Sequence, residues 1–133
     1  MTPAHAAKRP AALSRTESVV RLRAARVGRV VISVRCLPAA RLVRVAVVND
    51  ALYLGTTEAA VIEAADRGDV VTLQIDGLES DGSTWSVEVT GRASRTSPPG
   101  PPLEWAEQGL DILQLPLTVV HGDRTPWRDA TSS

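Results

Sequence analysis

The feature that most constrains the fold is the segment 69–94, in which two runs of alternating apolar and polar residues flank a polar turn. The apolar positions of the two runs are Val71, Leu73, Ile75, Trp85, Val87 and Val89. Alternation with a period of two is typical of a β-strand with one buried face and one solvated face. Asp81 and Gly82 form a turn sequence that folds the second strand back on the first. The segment therefore predicts an antiparallel hairpin.

Gly91 interrupts the second run of this hairpin. A glycine inside a strand is typical of a bulge or a sharp bend, because it has no side chain to pack and tolerates unusual backbone angles. A long bent strand paired with a neighbour allows a small barrel to turn a corner. We therefore predict a bulge at Gly91 and a barrel fold.

Four further runs of β-forming residues complete the predicted sheet. They are residues 28–36, 41–48, 51–55 and 112–120. Pro38 would end the first of these strands, and a two-residue turn at Asn49 and Asp50 would join the second to the third. Pro116 interrupts the last strand. The first three runs would form an antiparallel meander. In all, the sequence predicts a mainly β fold with six antiparallel strands, a short N-terminal helix, and a helix between strands three and four.

The N-terminal helix is predicted from a capping-box pair, Ser14 and Glu17. It would cover residues 15–25, with Val19, Val20 and also Leu22 turned inward. The basic residues Arg21, Arg23 and Arg26 would face solvent.

The second helix is predicted over residues 56–66, where the apolar period changes from two to that of a helix. Its inward positions would be Ala60, Val61, Ala64 and Ala65. Thr56 or Thr57 would cap its N-terminus, and Gly68 would end it.

The 133 residues are enough for one domain. We place this domain at residues 13–121, between a disordered tail at 1–12 and a polar tail at 122–133 that contains Trp127. A proline-rich stretch at 97–102 would be a stiff connector that cannot join the interior of a sheet.

Composition argues against several classes of partner and site. The formal net charge is zero, from 15 basic and 15 acidic residues, so we expect no nucleic-acid partner. No run approaches the roughly 20 apolar residues of a membrane-spanning helix, and the N-terminus lacks the apolar core of a signal peptide. We expect a cytoplasmic protein without membrane contact. His5 and His121 have no metal-ligand spacing, so we predict no metal site.

Cys36 is the only cysteine of the chain, which excludes an internal disulfide. It ends an apolar run, and we expect a buried, inert thiol.

The order of these segments along the chain resembles that of a known protein family. The resembling segments are GRVVISV at 28–34, Pro38, RLVRVAVVNDALYLGT at 41–56, VVTLQID at 70–76, and WSVEVTGRA at 85–93. They resemble the small bacterial members of the pyridoxamine 5′-phosphate oxidase-like family of flavin-binding split β-barrels. The last segment is the most specific, because small members commonly carry Trp-Ser-Val and Thr-Gly-Arg-Ala in this strand.

The resemblance implies a split-barrel homodimer with FMN, or in some relatives the deazaflavin F420, bound at the subunit interface. By position, the resemblance implies that Val31, Ile32 and Ser33 contact the flavin ring. It implies that Thr56, Thr57 and Arg44 contact the phosphate. Trp85 and Arg92 would contact the cofactor or the dimer interface. A helix N-terminus with hydroxyls and an arginine fork is chemically suited to phosphate. The implied activity is that of a flavin-dependent oxidoreductase acting on a small molecule, for which the sequence indicates no catalytic acid or base.

One segment departs from the family pattern. Many flavin-binding relatives carry a Gly-Ser-Lys-like element after the threonine of strand three, whereas this chain carries Glu58-Ala59-Ala60. A carboxylate beside a phosphate dianion opposes binding. Two hypotheses therefore stay open: a flavin-dependent oxidoreductase, or a split-barrel dimer that has no flavin and binds F420, another ligand or a protein partner.

Each candidate residue also has a structural interpretation. Thr56 and Thr57 would serve as ordinary helix caps. Trp85 would pack in the core or the dimer interface, and Arg44 and Arg92 would be solvated cations of a strand face.

Overall fold

Nine strands and three helices make up residues 10–97 and 103–126, the part of the chain that the computed structural model describes. The strands are β1 (Ala11–Ala12), β2 (Val27–Val34), β3 (Leu37–Val48), β4 (Ala51–Thr56), β5 (Val70–Leu78), β6 (Thr84–Arg92), β7 (Ser94–Arg95), β8 (Asp111–Leu115) and β9 (Val119–Thr125). The helices are α1 (Arg15–Ala24), α2 (Ala59–Arg67) and α3 (Leu103–Glu107). Trp127 and most of the proline-rich connector lie outside the described residues.

All nine strands belong to one antiparallel sheet in the order β1-β9-β6-β5-β2-β3-β4-β8-β7. The sheet is strongly curled into a half-barrel, which confirms the mainly β class. The predicted meander is present as the β2–β3 and β3–β4 hairpins, and the predicted hairpin of segment 69–94 is present as β5 and β6. Pairing of β2 with β5 joins the two units into one sheet.

The predicted sixth strand, residues 112–120, is in fact two strands. The chain leaves the sheet at Pro116, so that β8 pairs with β4 and β9 pairs with β6 on the other side of the sheet. Residues 122–125, which we assigned to the C-terminal tail, belong to β9. The short strands β1 and β7 raise the count to nine where six were predicted.

Gly91 does not form the predicted bulge. The pairing of β5 with β6 runs without interruption from Val70↔Arg92 to Leu78↔Thr84, and Gly91 pairs regularly with Val71. The side chains of Leu115 and Pro116 lie over Gly91 instead. The curl of the sheet therefore arises without an extra residue at this position.

The β2–β3 turn corrects two further predictions. Arg35 and Cys36 form the turn with φ angles of 53° and 65°, the pattern of a two-residue turn with both central residues in the left-handed region. Pro38 consequently lies inside β3 and does not break it. Cys36 is exposed at the turn, so the prediction of a buried thiol is wrong.

The two longer helices lie close to their predicted positions. The Ser14–Glu17 capping box of α1 is present, and Leu22 is buried as predicted. Ser18 is buried as well, whereas Val19 is half-buried and Val20, predicted to face inward, is exposed. Helix α2 begins at Ala59 because Thr56 still belongs to β4, and it ends at Gly68 as predicted.

The core lies on one side of the sheet, which we call the inner face, and the opposite side is the outer face. The buried inner-face residues of the central strands include Val30, Ile32, Val43, Val45, Leu52, Leu54, Val71, Leu73, Ile75, Val87, Val89, Leu113 and Leu115. Leu22 of α1 and Val61 and Ala64 of α2 complete this core. None of the helices in the described ranges is long and apolar enough to cross a membrane.

Candidate functional site

The outer face of β2 and β3 carries a row of small and apolar residues that is not covered by any described part of the chain. Residues paired across an antiparallel ladder point to the same face, and the pairs here are Val31↔Ala40 and Arg29↔Leu42. Leu42 is 67% exposed, whereas Val31 is half-buried. We call Val31, Ala40 and Leu42 the outer strip. Together with Val27, which is also exposed on this face, Leu42 forms an apolar patch that is a candidate binding surface.

The N-terminus of α2 follows directly after β4, the strand that pairs with β3 on the side opposite β2. The N–H groups of Val61 and Ile62 both donate to the carbonyl oxygen of Glu58, so those of Ala59 and Ala60 precede the first bonds within the helix. Such groups are free to bind an anion, and the helix dipole adds a partial positive charge. The hydroxyl group of Thr57 lies on an exposed residue just before the helix.

Glu58 occupies the N-cap position of α2, but its side chain makes no capping hydrogen bond. Its Oε2 atom lies 3.9 Å from the Nε atom of Arg41 on β3, and both side chains are partly exposed. Arg41 therefore offsets part of the negative charge that Glu58 places beside the helix. The sequence did not indicate Arg41 as a site residue, because its pairing with Glu58 depends on the approach of β3 to α2.

Four of the sequence-predicted site residues lie near this surface. Val31 and Ser33 lie on the outer side of β2, and Arg44 lies on the outer side of β3. Thr57 is exposed at the start of α2. Ser33 also lines a groove of about 360 Å³ with Ala60 of α2. Val31, Ser33 and Arg44 thus share the outer side of the sheet, whereas Thr57 starts the helix whose Val61, Ala64 and Ala65 pack in the core.

Two further candidates, Ile32 beside Ser33 and Thr56 beside Thr57, have side chains that point to the core. Each is only 3% exposed. The hydroxyl group of Thr56 accepts a hydrogen bond of 2.9 Å from the N–H of Glu58 and so helps the chain turn from β4 into α2. Any ligand contact of these two residues would use the backbone.

Trp85 and Arg92 lie away from the outer strip. The indole ring of Trp85 lies over Gly77, its cross-strand partner, and the guanidinium of Arg21 lies 4.6 Å from the ring centroid. Arg21 is itself held by Glu79 at 2.6 Å. Arg92 donates a hydrogen bond to the carbonyl oxygen of Gly68 at the end of α2. Both side chains thus have structural partners, and their cofactor contacts stay predictions.

Arg44 lies in a second groove, which borders the outer strip. This groove has a volume of about 590 Å³ and is walled by Arg23, Arg26, Arg44, Glu104 and Trp105. We call it the arginine groove. The sequence placed Arg23 and Arg26 in solvent, and only the Val27↔Arg44 pairing of β2 and β3 brings them beside Arg44.

A family model described as pyridoxamine 5′-phosphate oxidase matches residues 14–126 of the chain. The chain belongs to this family. The match covers α1, α2 and all strands from β2 to β9, so it includes the outer strip and both grooves. A comparison with functionally curated proteins gives no match.

Solved structures share the family fold at low sequence identity. A FAD-binding protein from Mesorhizobium loti has a TM-score of 0.74 and 21% identity, over 90% of this chain and 98% of the other. A FAD-binding protein from Mycobacterium smegmatis has a TM-score of 0.68 and 20% identity, over 87% and 98% of the two chains. A FAD- and heme-binding protein from the same organism has a TM-score of 0.67 and 14% identity, over 92% and 76%. At these identities the likeness shows the fold alone.

The groups at the start of α2 fit the phosphate of a flavin. They offer one hydroxyl group, two free N–H groups and the positive end of a helix dipole. The opposing charge of Glu58 is partly offset by Arg41. The outer strip is apolar, as the benzenoid edge of a flavin ring requires.

Proposed function

We propose that this protein binds a flavin along the outer face of β2 and β3, with the flavin phosphate at the N-terminus of α2. The observation that supports the proposal best is the exposed outer strip, and the free N–H groups at the start of α2 add a site for an anion. The names of the FAD-binding structural relatives agree with a flavin ligand.

In this proposal Val31 and Ser33 lie against the ring, and the backbone of Ile32 is the hydrogen-bonding group between them. Thr57 donates its hydroxyl hydrogen to the phosphate, and Arg44 contributes positive charge from the adjacent strand. FMN is the smallest flavin that meets these contacts, with F420 as the alternative. The bound flavin would supply hydride and electron transfer, and the chain would supply position and electrostatics.

We further propose a homodimer that uses the same outer face. Leu42 and Val27 are 67% and 56% exposed on this face. Covering them with a second copy would remove apolar surface from water. In a molar-mass measurement by light scattering, we expect a dimer for the natural chain and a monomer for Leu42→Glu. A monomeric natural chain would overturn this part of the proposal.

One observation favours the second candidate function, a split barrel that binds no flavin. Glu58 places a carboxylate at the proposed phosphate position, and its pairing with Arg41 at 3.9 Å offsets the charge only in part. Such a protein would use the same outer face for another ligand or a protein partner.

The deciding experiment is the visible absorption spectrum of the purified protein before and after addition of FMN, FAD or F420 and removal of the excess by gel filtration. We expect a retained flavin band. A protein that remains colourless with all three would refute flavin binding and support the second candidate.

The variant Thr57→Ala tests the phosphate position. We expect its affinity for FMN to fall about tenfold, the scale of one charge-assisted hydrogen bond. Thr118→Ala is the matched control, because Thr118 is an exposed threonine in the β8–β9 connection. Equal FMN affinity of both variants would place the phosphate elsewhere.

A further inference from the structure

The arginine groove brings three basic side chains from three segments of the chain to one place. Arg23 lies in α1, Arg26 lies between α1 and β2, and Arg44 lies in β3. Two backbone contacts fix this arrangement: the Val27↔Arg44 pairing, and a hydrogen bond of 3.0 Å that the Val45 N–H donates to the Arg26 carbonyl oxygen. The cluster is therefore positioned by the fold.

Two acidic groups offset part of the charge of this groove. Asp50 lies 3.5 Å from Arg23, and its side chain is fully exposed. Glu104 is the one acidic residue among the described residues that line the groove, and it is exposed as well. Against three guanidinium groups, these two carboxylates leave one positive charge uncompensated. A groove with one such charge is suited to a ligand with one negative charge.

Arg26 and Arg44 are the guanidinium groups that remain for such a ligand. Arg44 donates a hydrogen bond of 2.8 Å to the side-chain oxygen of Gln108, which carries no charge. Within residues 10–97 and 103–126, Arg26 has no ion pair and no side-chain hydrogen bond. A planar guanidinium can bind both oxygens of a carboxylate at once. Arg26 is therefore the side chain best placed to hold a carboxylate.

The end of β2 adds a backbone donor to these side chains. The N–H of Val45 points toward the β2 side of β3, because it bonds to Arg26. Alternate residues of a regular antiparallel strand share this direction, so the N–H of Val47 points the same way. β2 begins at Val27, opposite Arg44, so no residue of β2 pairs with Val47. Val47 lines the groove, and its N–H is a further donor for an anion.

The remaining lining of the groove is apolar. Ala24 of α1 and Ala46 and Val48 of β3 belong to it. One wall is Trp105, which is 8% exposed and lies directly over Gly55. The groove has a volume of about 590 Å³, which is within the range of small-molecule sites. This lining fits a small ligand that joins a carboxylate to an apolar, ring-sized body.

We propose that the arginine groove binds a small apolar monocarboxylate. The carboxylate lies at the Arg26 guanidinium and the Val47 N–H, and the apolar body packs against Ala46 and Trp105. The inference does not rest on the proposed flavin site, because every group named here belongs to the groove itself.

The test is isothermal titration calorimetry at pH 8 on the purified full-length chain, without added flavin. Four probes are compared. Benzoate carries the charge and the ring, benzamide is its neutral counterpart, acetate lacks the ring, and phenyl phosphate carries two charges.

Benzoate is also titrated into the variant Arg26→Gln and the control Arg15→Gln. Arg15 lies at the other end of α1, where it donates to the carbonyl oxygen of Leu117. Thermal unfolding of each variant establishes that it is folded.

We expect benzoate to bind about tenfold or more tightly than benzamide or acetate, and at least as tightly as phenyl phosphate. Arg26→Gln should weaken benzoate binding about tenfold, the scale of one charge-assisted hydrogen bond. Arg15→Gln should bind benzoate as the natural chain does.

Each probe can also overturn the inference. Equal binding of benzoate and benzamide would exclude a role of the charge, and equal binding of benzoate and acetate would exclude the apolar wall. Tighter binding of phenyl phosphate would assign the groove to phosphate esters instead. Equal affinity of Arg26→Gln and Arg15→Gln for benzoate would place the carboxylate elsewhere. Absence of benzoate binding would overturn the inference and leave the proposed flavin site untouched, since no flavin is added in these titrations.

Discussion

The contact between Gly55 and Trp105 allows the most direct test of the structure. A Cβ atom built on Gly55 would lie 2.6 Å from the Cε3 atom and 2.9 Å from the Cδ2 atom of the Trp105 indole. Both distances are below van der Waals contact, and the indole is buried, so the variant Gly55→Ala must displace the ring or the strand. Displacement of Trp105 would also move α3 away from the arginine groove.

The expected change in the free energy of unfolding of Gly55→Ala is the difference between two opposing contributions. Overpacking of a well-packed site costs about 1–3 kcal/mol. Replacing glycine with alanine in a strand returns about 0.5–1 kcal/mol, because the unfolded chain loses conformational freedom. We expect a net loss of about 1–2 kcal/mol, or a fall in Tm of about 3–6 °C for a domain of this size.

Gly91→Ala is the matched control, because its Cβ atom would meet Pro116 at 3.5 Å, an ordinary contact distance. Thermal unfolding by circular dichroism should show a lower Tm for Gly55→Ala and a Tm equal to or above that of the natural chain for Gly91→Ala. Tryptophan emission should shift to longer wavelength in Gly55→Ala alone. If the two variants unfold at the same temperature with the same emission, the packing of Trp105 over Gly55 described above is wrong.

Two further predictions concern charged groups. Glu58→Gln should raise the affinity for FMN about fivefold, since it removes a like charge worth about 1 kcal/mol at a partly exposed site. Glu63→Gln, at an exposed position of the same helix, is its control. If Glu58→Gln binds FMN with unchanged affinity, the phosphate does not lie at the N-terminus of α2. The paired guanidinium of Arg95 holds the pKa of Asp66 below its usual value. The stabilisation by this pair is therefore present above about pH 4, the unfolded pKa, and is lost as the pH falls through the folded pKa. Asp66→Asn should lower Tm at pH 7 but leave it unchanged near pH 2, and an equal loss at both pH values would contradict the assignment.

Local sequence patterns correctly predicted the strands and the helix whose sequence signals do not depend on distant residues. The alternation in segment 69–94 predicted β5 and β6, and the buried side chains of Val71, Leu73 and Ile75 confirm it. The capping box predicted the start of α1 to the residue. Pro116 was ambiguous, because a proline in an apolar run is compatible both with an edge strand and with a break between two strands. Only the pairing partners β4 and β6 decide between these alternatives.

The candidate site was less accessible to sequence reasoning, because it depends on which face each strand turns outward. A shift of one residue moves a strand side chain to the opposite face, and Ile32 between Val31 and Ser33 illustrates this. The arginine groove required the register of β2 against β3, which brings residues 18 positions or more apart in sequence into contact. The charge of Arg26 alone did not indicate a binding groove, since most arginines lie on solvated surfaces.

The ends of the sheet have a consequence for how copies of this protein meet. A strand at the edge of a sheet presents unpaired N–H and C=O groups that can template aggregation. Here β1 and the Leu13 N–H bind along β9, and β7 and the Thr96 N–H bind along β8. Each edge strand is only two residues long. The edges therefore offer little template for strand addition, and open-ended fibre growth is disfavoured. The homodimer proposed above would instead use the outer face of the sheet, where a two-fold contact between two copies leaves no free face for further addition.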